Sequence, residues 1–138
     1  MIEAMKDRLA MEGILTVLGG GMCLANLGNR EFREFVAQRQ GVAEIRTQDR
    51  CVARRFLISH ATLRVARGPH PCPDYAIVYK DATEAVAVMS KGSQEAALQA
   101  ITEGTMWIEG DMEFGMWFNE LLQKTGEILK KPKNLIKL

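Results

Sequence analysis

The chain has 138 residues, a length at which one domain buries roughly two-thirds of the surface its unfolded chain exposes. Its hydrophobic fraction of 47% and charged fraction of 25% are ordinary globular values and exclude a largely disordered chain. A formal net charge of +1 creates no field that would gather phosphates, so composition gives nucleic-acid binding no support. The three cysteines, Cys23, Cys51 and Cys72, are odd in number and form no CxxC pair. That argues against a disulfide framework and a zinc knuckle, and for a reducing compartment.

The first elements are helical. Ile2, Met5 and Leu9 recur at helical spacing, with Lys6, Asp7 and Arg8 on the other side. The apolar run Ile14 to Leu18, followed by Gly19-Gly20-Gly21-Met22-Cys23, has the outline of a signal peptide. However, Glu3, Asp7 and Glu12 stand where a basic leader segment is required. No stretch approaches the ~20 apolar residues that span a bilayer. The expectation is a cytoplasmic protein. The three glycines are expected to end or kink the helix. Asn29 is a good cap for a second helix carrying Phe32, Phe35 and Val36, with Gly41 closing it.

From Val42 to Lys80 the period changes to two. Val42 to Arg46, Val52 to Ile58 and Thr62 to Ala66 read as strands. Gly68-Pro69-His70-Pro71-Cys72-Pro73 is a stiff loop, because its three prolines remove three ladder donors. Tyr75 to Tyr79 is a fourth strand, and the four together read as an antiparallel meander. Helices return with Asp81-x-x-Glu84, the outline of a capping box. That helix ends at Gly92. Ser93 caps another, with Ala97, Leu98 and Ile101 on one stripe and Gly104 at its end. Thr105 to Ile108 is a short strand, Gly110 a turn, and Asp111 the cap of a last helix. Met112, Met116, Trp117, Leu121 and Leu122 form that helix's expected apolar side. Residues 124–138 read as a basic tail with Lys130, Lys131, Lys133 and Lys137.

Two stretches carry a resemblance. Asp74-Tyr75-Ala76-Ile77-Val78-Tyr79-Lys80-Asp81 is a strand that starts acidic and runs into a capped helix. Glu103-Gly104-Thr105-Met106-Trp107-Ile108-Glu109-Gly110-Asp111-Met112 sets a short strand between two glycines before a methionine-bearing helix. With the order of elements over residues 42–123, these resemble the sterol carrier protein type 2 family. The first forty residues match none of its motifs. The final Ile136-Lys137-Leu138 lacks the serine of a peroxisomal address.

The resemblance implies one α+β domain over residues 1–138, with residues 1–41 as a helical N-terminal region. It implies a sheet of about five mostly antiparallel strands, covered on one face by helices. An apolar tunnel would lie between the layers, taking a sterol, a fatty acid or an acyl compound, with no catalytic residue in the domain; two separated histidines are too few for a metal site, and no cofactor is expected. Tyr75, Ile77 and Tyr79 share one side of their strand, and Met106 and Ile108 one side of theirs. These are expected to floor the tunnel, with Phe56 contributing from the second strand. Leu98, Ile101, Met112, Met116 and Trp117 are expected as its walls. Methionine adapts to varied apolar ligands, though it equally serves as core filler. The lysine tail adds an expectation of transient contact with anionic membrane surfaces, against a solvated, frayed tail.

Three readings stay open on the sequence: a carrier of an apolar ligand, a structural or interaction module with a closed tunnel, and a small enzyme using Cys72 or His70. The third is the weakest. The only histidines are His60 and His70, and the Pro-His-Pro-Cys-Pro loop is better explained as setting backbone shape. Gly19 to Gly21 lacks the Lys-Ser/Thr of a phosphate loop. Asp111 and Glu113 are a cap and a dipole partner rather than an acid–base pair.

Overall fold

Four polar side chains set where helices begin. Asn29 accepts a hydrogen bond from the Phe32 amide, Asp81 from Glu84, Ser93 from Ala96, and Asp111 from both Glu113 and Phe114. Each satisfies a first-turn N–H that has no partner within its helix. The computed structural model describes residues 2–131. Its elements are α1 (Ile2–Gly28), α2 (Arg30–Val36), β1 (Gly41–Thr47), β2 (Ala53–Ser59), β3 (Thr62–Arg67), β4 (Tyr75–Tyr79), α3 (Ala82–Lys91), α4 (Gln94–Glu103), β5 (Met106–Gly110) and α5 (Met112–Lys130). Gly92 and Gly104 end α3 and α4 with φ of 61° and 80°, the left-handed conformation that glycine adopts without strain.

The five strands lie in the order β3-β2-β1-β4-β5. Three strands form the expected meander. The fourth departs from it, because β4 pairs parallel to β1, with Ala43 opposite Tyr75 and Thr47 opposite Tyr79. The reason lies in the side chains. All five residues of β4 are buried, on both faces of the sheet, so β4 belongs inside it, between β1 and β5. A place beside β3, whose residues are largely exposed or half-buried, would leave one of those faces in water. The other three pairings are antiparallel. The α+β class and the mostly antiparallel sheet agree with the sequence reading.

The register puts Ala43, Ile45, Phe56, Ile58, Tyr75 and Ile77 on one face, and the helices cover that face. α1 lies across it against β3, α3 and α5. Its inward stripe is Met11, Leu15 and Met22, all fully buried. Ile2, Met5 and Leu9, the stripe that stood out in the sequence, point to solvent.

The glycine triplet neither ends nor kinks α1, which runs unbroken for 27 residues. Two of the three glycines are contact points. A Cβ on Gly19 would come 2.9 Å from Val65 Cγ1 of β3, and a Cβ on Gly21 would come 2.9 Å from Leu129 Cδ2 of α5. The helix is therefore drawn down between sheet and α5, and tertiary contact outweighs the propensity cost of glycine.

Other expectations shift. Gly41 opens β1 and does not cap α2, which ends at Val36 with Ala37 as its cap. A Cβ on Gly41 would crowd the Phe114 ring, so it is a packing position. Lys124 and Lys130 belong to α5, so the helix takes up residues read as tail. Lys133, Lys137 and Ile136-Lys137-Leu138 lie outside the described residues.

Candidate functional site

The residues expected as a floor share one face of the sheet. Tyr75, Ile77 and Tyr79 of β4 pair with Gly110, Ile108 and Met106 of β5, so their side chains share the helix-covered face. Phe56 lies on the same face two strands away, across Ala43. Phe56, Tyr75, Ile77, Tyr79 and Met106 are all buried, and Ile108 on the edge strand is half-buried.

The expected walls divide. Trp117 is buried, with its ring stacked on Phe35 of α2 and its Nε1 donating to the Phe35 carbonyl oxygen at 3.3 Å. Leu98 and Ile101 of α4 are 63% and 42% exposed, and Met112 and Met116 of α5 are 59% and 71% exposed. The sequence reading expected these four to face the interior. α4 instead turns Ala100 inward, because small side chains let it lie close to β5. α5 fills its inner arc with Phe114, Trp117, Phe118 and Leu121, which leaves the methionines on the far side.

The direction of that far side follows from the helix itself. Trp117 points to α2, while Gly115 and Asn119 meet Tyr75 of β4. At 100° per residue, Met112 and Met116 lie opposite the buried arc of Phe114, Phe118 and Leu121 and face away from the sheet. Leu98 and Ile101 project from the helix that leads into β5.

Between the layers, the space is occupied by the chain itself. Met11, Leu15 and Met22 of α1 meet Phe56 and Phe118 in one cluster, and all five are fully buried. The two aromatic rings lie 5.2 Å apart, centre to centre. An open surface groove of about 400 Å³ lies elsewhere, between the start of α2 and the end of α5, where Phe32 and Ile128 line it together with Asn29, Glu31, Glu127 and the lysines Lys124, Lys130 and Lys131.

Among the described residues the buried charged side chains lie in ion pairs. Arg54 lies on the helix-covered face, only 6% exposed, where its Nη2 donates to Glu12 Oε1 of α1 at 2.8 Å. Arg67 reaches the other Glu12 oxygen at 2.6 Å. Burial would raise the Glu12 carboxyl, but hydrogen bonds from Arg54 and Arg67 and their charges outweigh it and hold it below the usual range. On the opposite face, Glu44 and Arg46 are also buried, with Arg46 Nε 2.8 Å from Glu44 Oε1. That N–H is misaligned for a hydrogen bond, so the contact is an ion pair. The His70 backbone amide, in the proline loop, donates to Glu44 Oε2 at 2.6 Å. Arg54 and Arg55 stand together in the second strand, so one of them had to share a side with apolar neighbours; Glu12, Glu44 and Arg46 gave no such signal.

Burial pushes the Tyr79 phenol up to about 12, with the neighbouring Tyr75 adding to the shift. Burial raises Tyr75 too, although its hydrogen bond with Asn119 acts the other way. In the proline loop, His70 Nδ1 accepts from the Cys72 backbone amide at 3.0 Å, so the ring braces the loop. Among the described residues no group of three His, Cys, Asp or Glu side chains is arranged to hold a metal.

No protein-family model and no curated protein matches the chain by sequence. Solved structures do match it, over nearly the whole chain. A sterol carrier protein 2 crystal structure is similar over 83% of this chain and 94% of its own, with TM-score 0.57 and 14% identity. The fold is that of a sterol carrier protein type 2 domain. A UbiJ-SCP2 ubiquinone synthesis protein matches over 85% of this chain and 96% of its own, with TM-score 0.54 and 13% identity. A conserved hypothetical protein from Thermus thermophilus, solved in solution, matches over 88% and 87%, with TM-score 0.55 and 12% identity.

This sterol-carrier-like domain also carries a feature the sequence reading did not anticipate. α1 is long and apolar enough, by length and composition, to cross a bilayer. Part of α1 is buried against α3, α5 and β3, and one side of it is exposed.

Proposed function

We propose that this domain binds and carries an apolar ligand, a lipid or acyl compound, without catalysis. The ligand lies on the helix-covered face over β4 and β5 and enters between α4 and α5. The observation that carries this reading is the sterol-carrier fold itself, seen together with exposed apolar side chains on the helices before and after β5. Leu98 and Ile101 of α4 and Met112 and Met116 of α5 are large apolar side chains in water, and Ile108 of β5 is half-buried. Exposed apolar surface of this kind suits a hydrophobic ligand mouth. Ten methylenes buried there would contribute about 8 kcal/mol before ordering costs.

Filling the interior then requires α5 or α4 to shift away from the sheet, since the chain's own side chains occupy the space between the layers. Met112 and Met116 suit this, since thioether side chains adapt their shape at little cost. A cytoplasmic location agrees with the free thiols of Cys23, Cys51 and Cys72.

The test is native mass spectrometry of freshly purified protein with organic extraction, followed by titration with a fluorescent fatty acid. A copurifying lipid, or probe binding that Met116→Trp weakens in a folded variant, is the expected result. An empty protein that ignores the probe would overturn the carrier reading and leave a structural or interaction module on the same fold.

A further inference from the structure

The outward side of α1 is a second apolar surface, on a different element from the proposed ligand mouth. From Leu9 to Leu27 its exposed residues include no charge, over about 27 Å of helix at 1.5 Å per residue. Leu9 and Leu27 are 72% and 75% exposed, and Val17 and Leu24 more than half exposed. Among them stand Gly13 and Gly20, whose Cβ positions have no atom within 4 Å. Neither glycine is needed for packing within the chain, in contrast to Gly19 and Gly21. Each costs up to about 1 kcal/mol of helix stability relative to alanine.

The order of large and small residues on this surface is self-complementary. When α1 is set against a copy of itself running the opposite way, centred between Leu18 and Gly19, Gly13 falls opposite Leu24, Gly20 opposite Val17 and Ala10 opposite Leu27. Each large side chain meets a small residue on the partner, which is the knob-and-hole arrangement of close helix packing. A two-fold axis repeats each pairing, as an isologous interface requires. Turned the same way, the helices would set Gly13 against Gly13 and Leu24 against Leu24, a gap and a collision. Full burial of the exposed parts of Leu9, Val17, Leu24 and Leu27 would cover about 450 Å² per copy, roughly 900 Å² in all, the size of a weak, concentration-dependent association.

We infer that this surface is the dimer interface of the protein: two copies associate through antiparallel α1 helices, with Gly13 and Gly20 as sockets for Leu24 and Val17 of the second copy. The glycines are retained because a side chain there would hold the helices apart.

The test is sedimentation equilibrium of the full chain beside Leu24→Arg and Gly20→Leu. The expected wild type is a concentration-dependent dimer. Each variant should keep the wild-type circular dichroism spectrum and raise the dimer dissociation constant by about tenfold or more. Gly20→Leu enters open space in the single chain, so its effect cannot arise from damage to the fold. Chains bearing Val17→Cys and Gly20→Cys, with Cys51 and Cys72 replaced by serine, should cross-link when mixed and oxidised, and either chain alone far less. A wild type that stays monomeric at high concentration would overturn the inference, and so would a dimer indifferent to both variants. Monomers that bind phospholipid vesicles through Leu24 would overturn it too, by assigning the surface to lipid.

Discussion

Gly115 of α5 lies against the ring of Tyr75 on β4, so closely that a Cβ at 115 would overlap the ring. One turn later, Asn119 Oδ1 accepts the Tyr75 hydroxyl at 3.3 Å. The ring cannot move aside, because Tyr75 is 1% exposed and meets Phe118 edge-on. The pair therefore sets how closely α5 approaches the sheet, beside the proposed ligand mouth.

Gly115→Ala should destabilise the protein by about 2 kcal/mol through overpacking, despite alanine's higher helix propensity. Gly126→Ala, in the same helix with no atom within 4 Å of its Cβ, should stabilise by up to about 1 kcal/mol. Urea unfolding of the two variants gives the comparison. Equal effects would mean that Tyr75 does not limit the approach of α5.

Glu12→Gln should cost about 3 kcal/mol, at the low end for breaking a buried pair because the Glu12 side chain keeps 23% exposure. It leaves the Arg54 guanidinium buried beside a neutral partner. The double variant Glu12→Leu with Arg54→Met should recover most of that loss, since an apolar pair of similar volume needs no ionic partner. A double variant as unstable as the single one would show that the pair does more than satisfy its own charges.

The same carboxylate predicts an acid response. Its folded value lies below the unfolded one, so its contribution is fully present above the ordinary glutamate range. The contribution is lost as pH falls through the depressed value. The stability difference between wild type and Glu12→Gln should accordingly shrink on acidification, as read from urea midpoints at successive pH values.

At high pH the tyrosines act with the opposite sign. Tyr79 is raised to about 12 in the folded protein, so its burial stabilises below the unfolded phenol value and is lost as pH rises toward 12. Ultraviolet titration should find neither of the two tyrosines ionising at the ordinary phenol value. Tyr79→Phe should remove the later step. A phenol that titrates normally at position 79 would mean that the β4–β5 face admits water.

The helix starts, and the stops of α3 and α4, were legible because each is a local event, while the ends of α1, α2 and α5 were not. Asp81, Ser93 and Asp111 cap through their own neighbours, and Gly92 and Gly104 close through backbone conformation. Strand limits were legible from alternation, to within a residue or two. The floor of the candidate site was legible for the same reason, since Tyr75, Ile77 and Tyr79 must share a face. Its walls were not. Leu98, Ile101, Met112 and Met116 lie on apolar stripes, and a stripe does not declare which neighbour a helix will lay against the sheet.

The sequence by itself determined the elements, their order and the side of the sheet on which each strand residue stands, because turns, caps and the two-residue period are short-range. Tertiary structure decided the rest. It carried β4 past two strands to lie beside β1, turned Met11 rather than Leu9 inward, and made contacts of Gly19 and Gly21 where a helix break was expected. Those outcomes depend on how much surface each alternative arrangement buries, a quantity that exists only once residues distant in the chain have met.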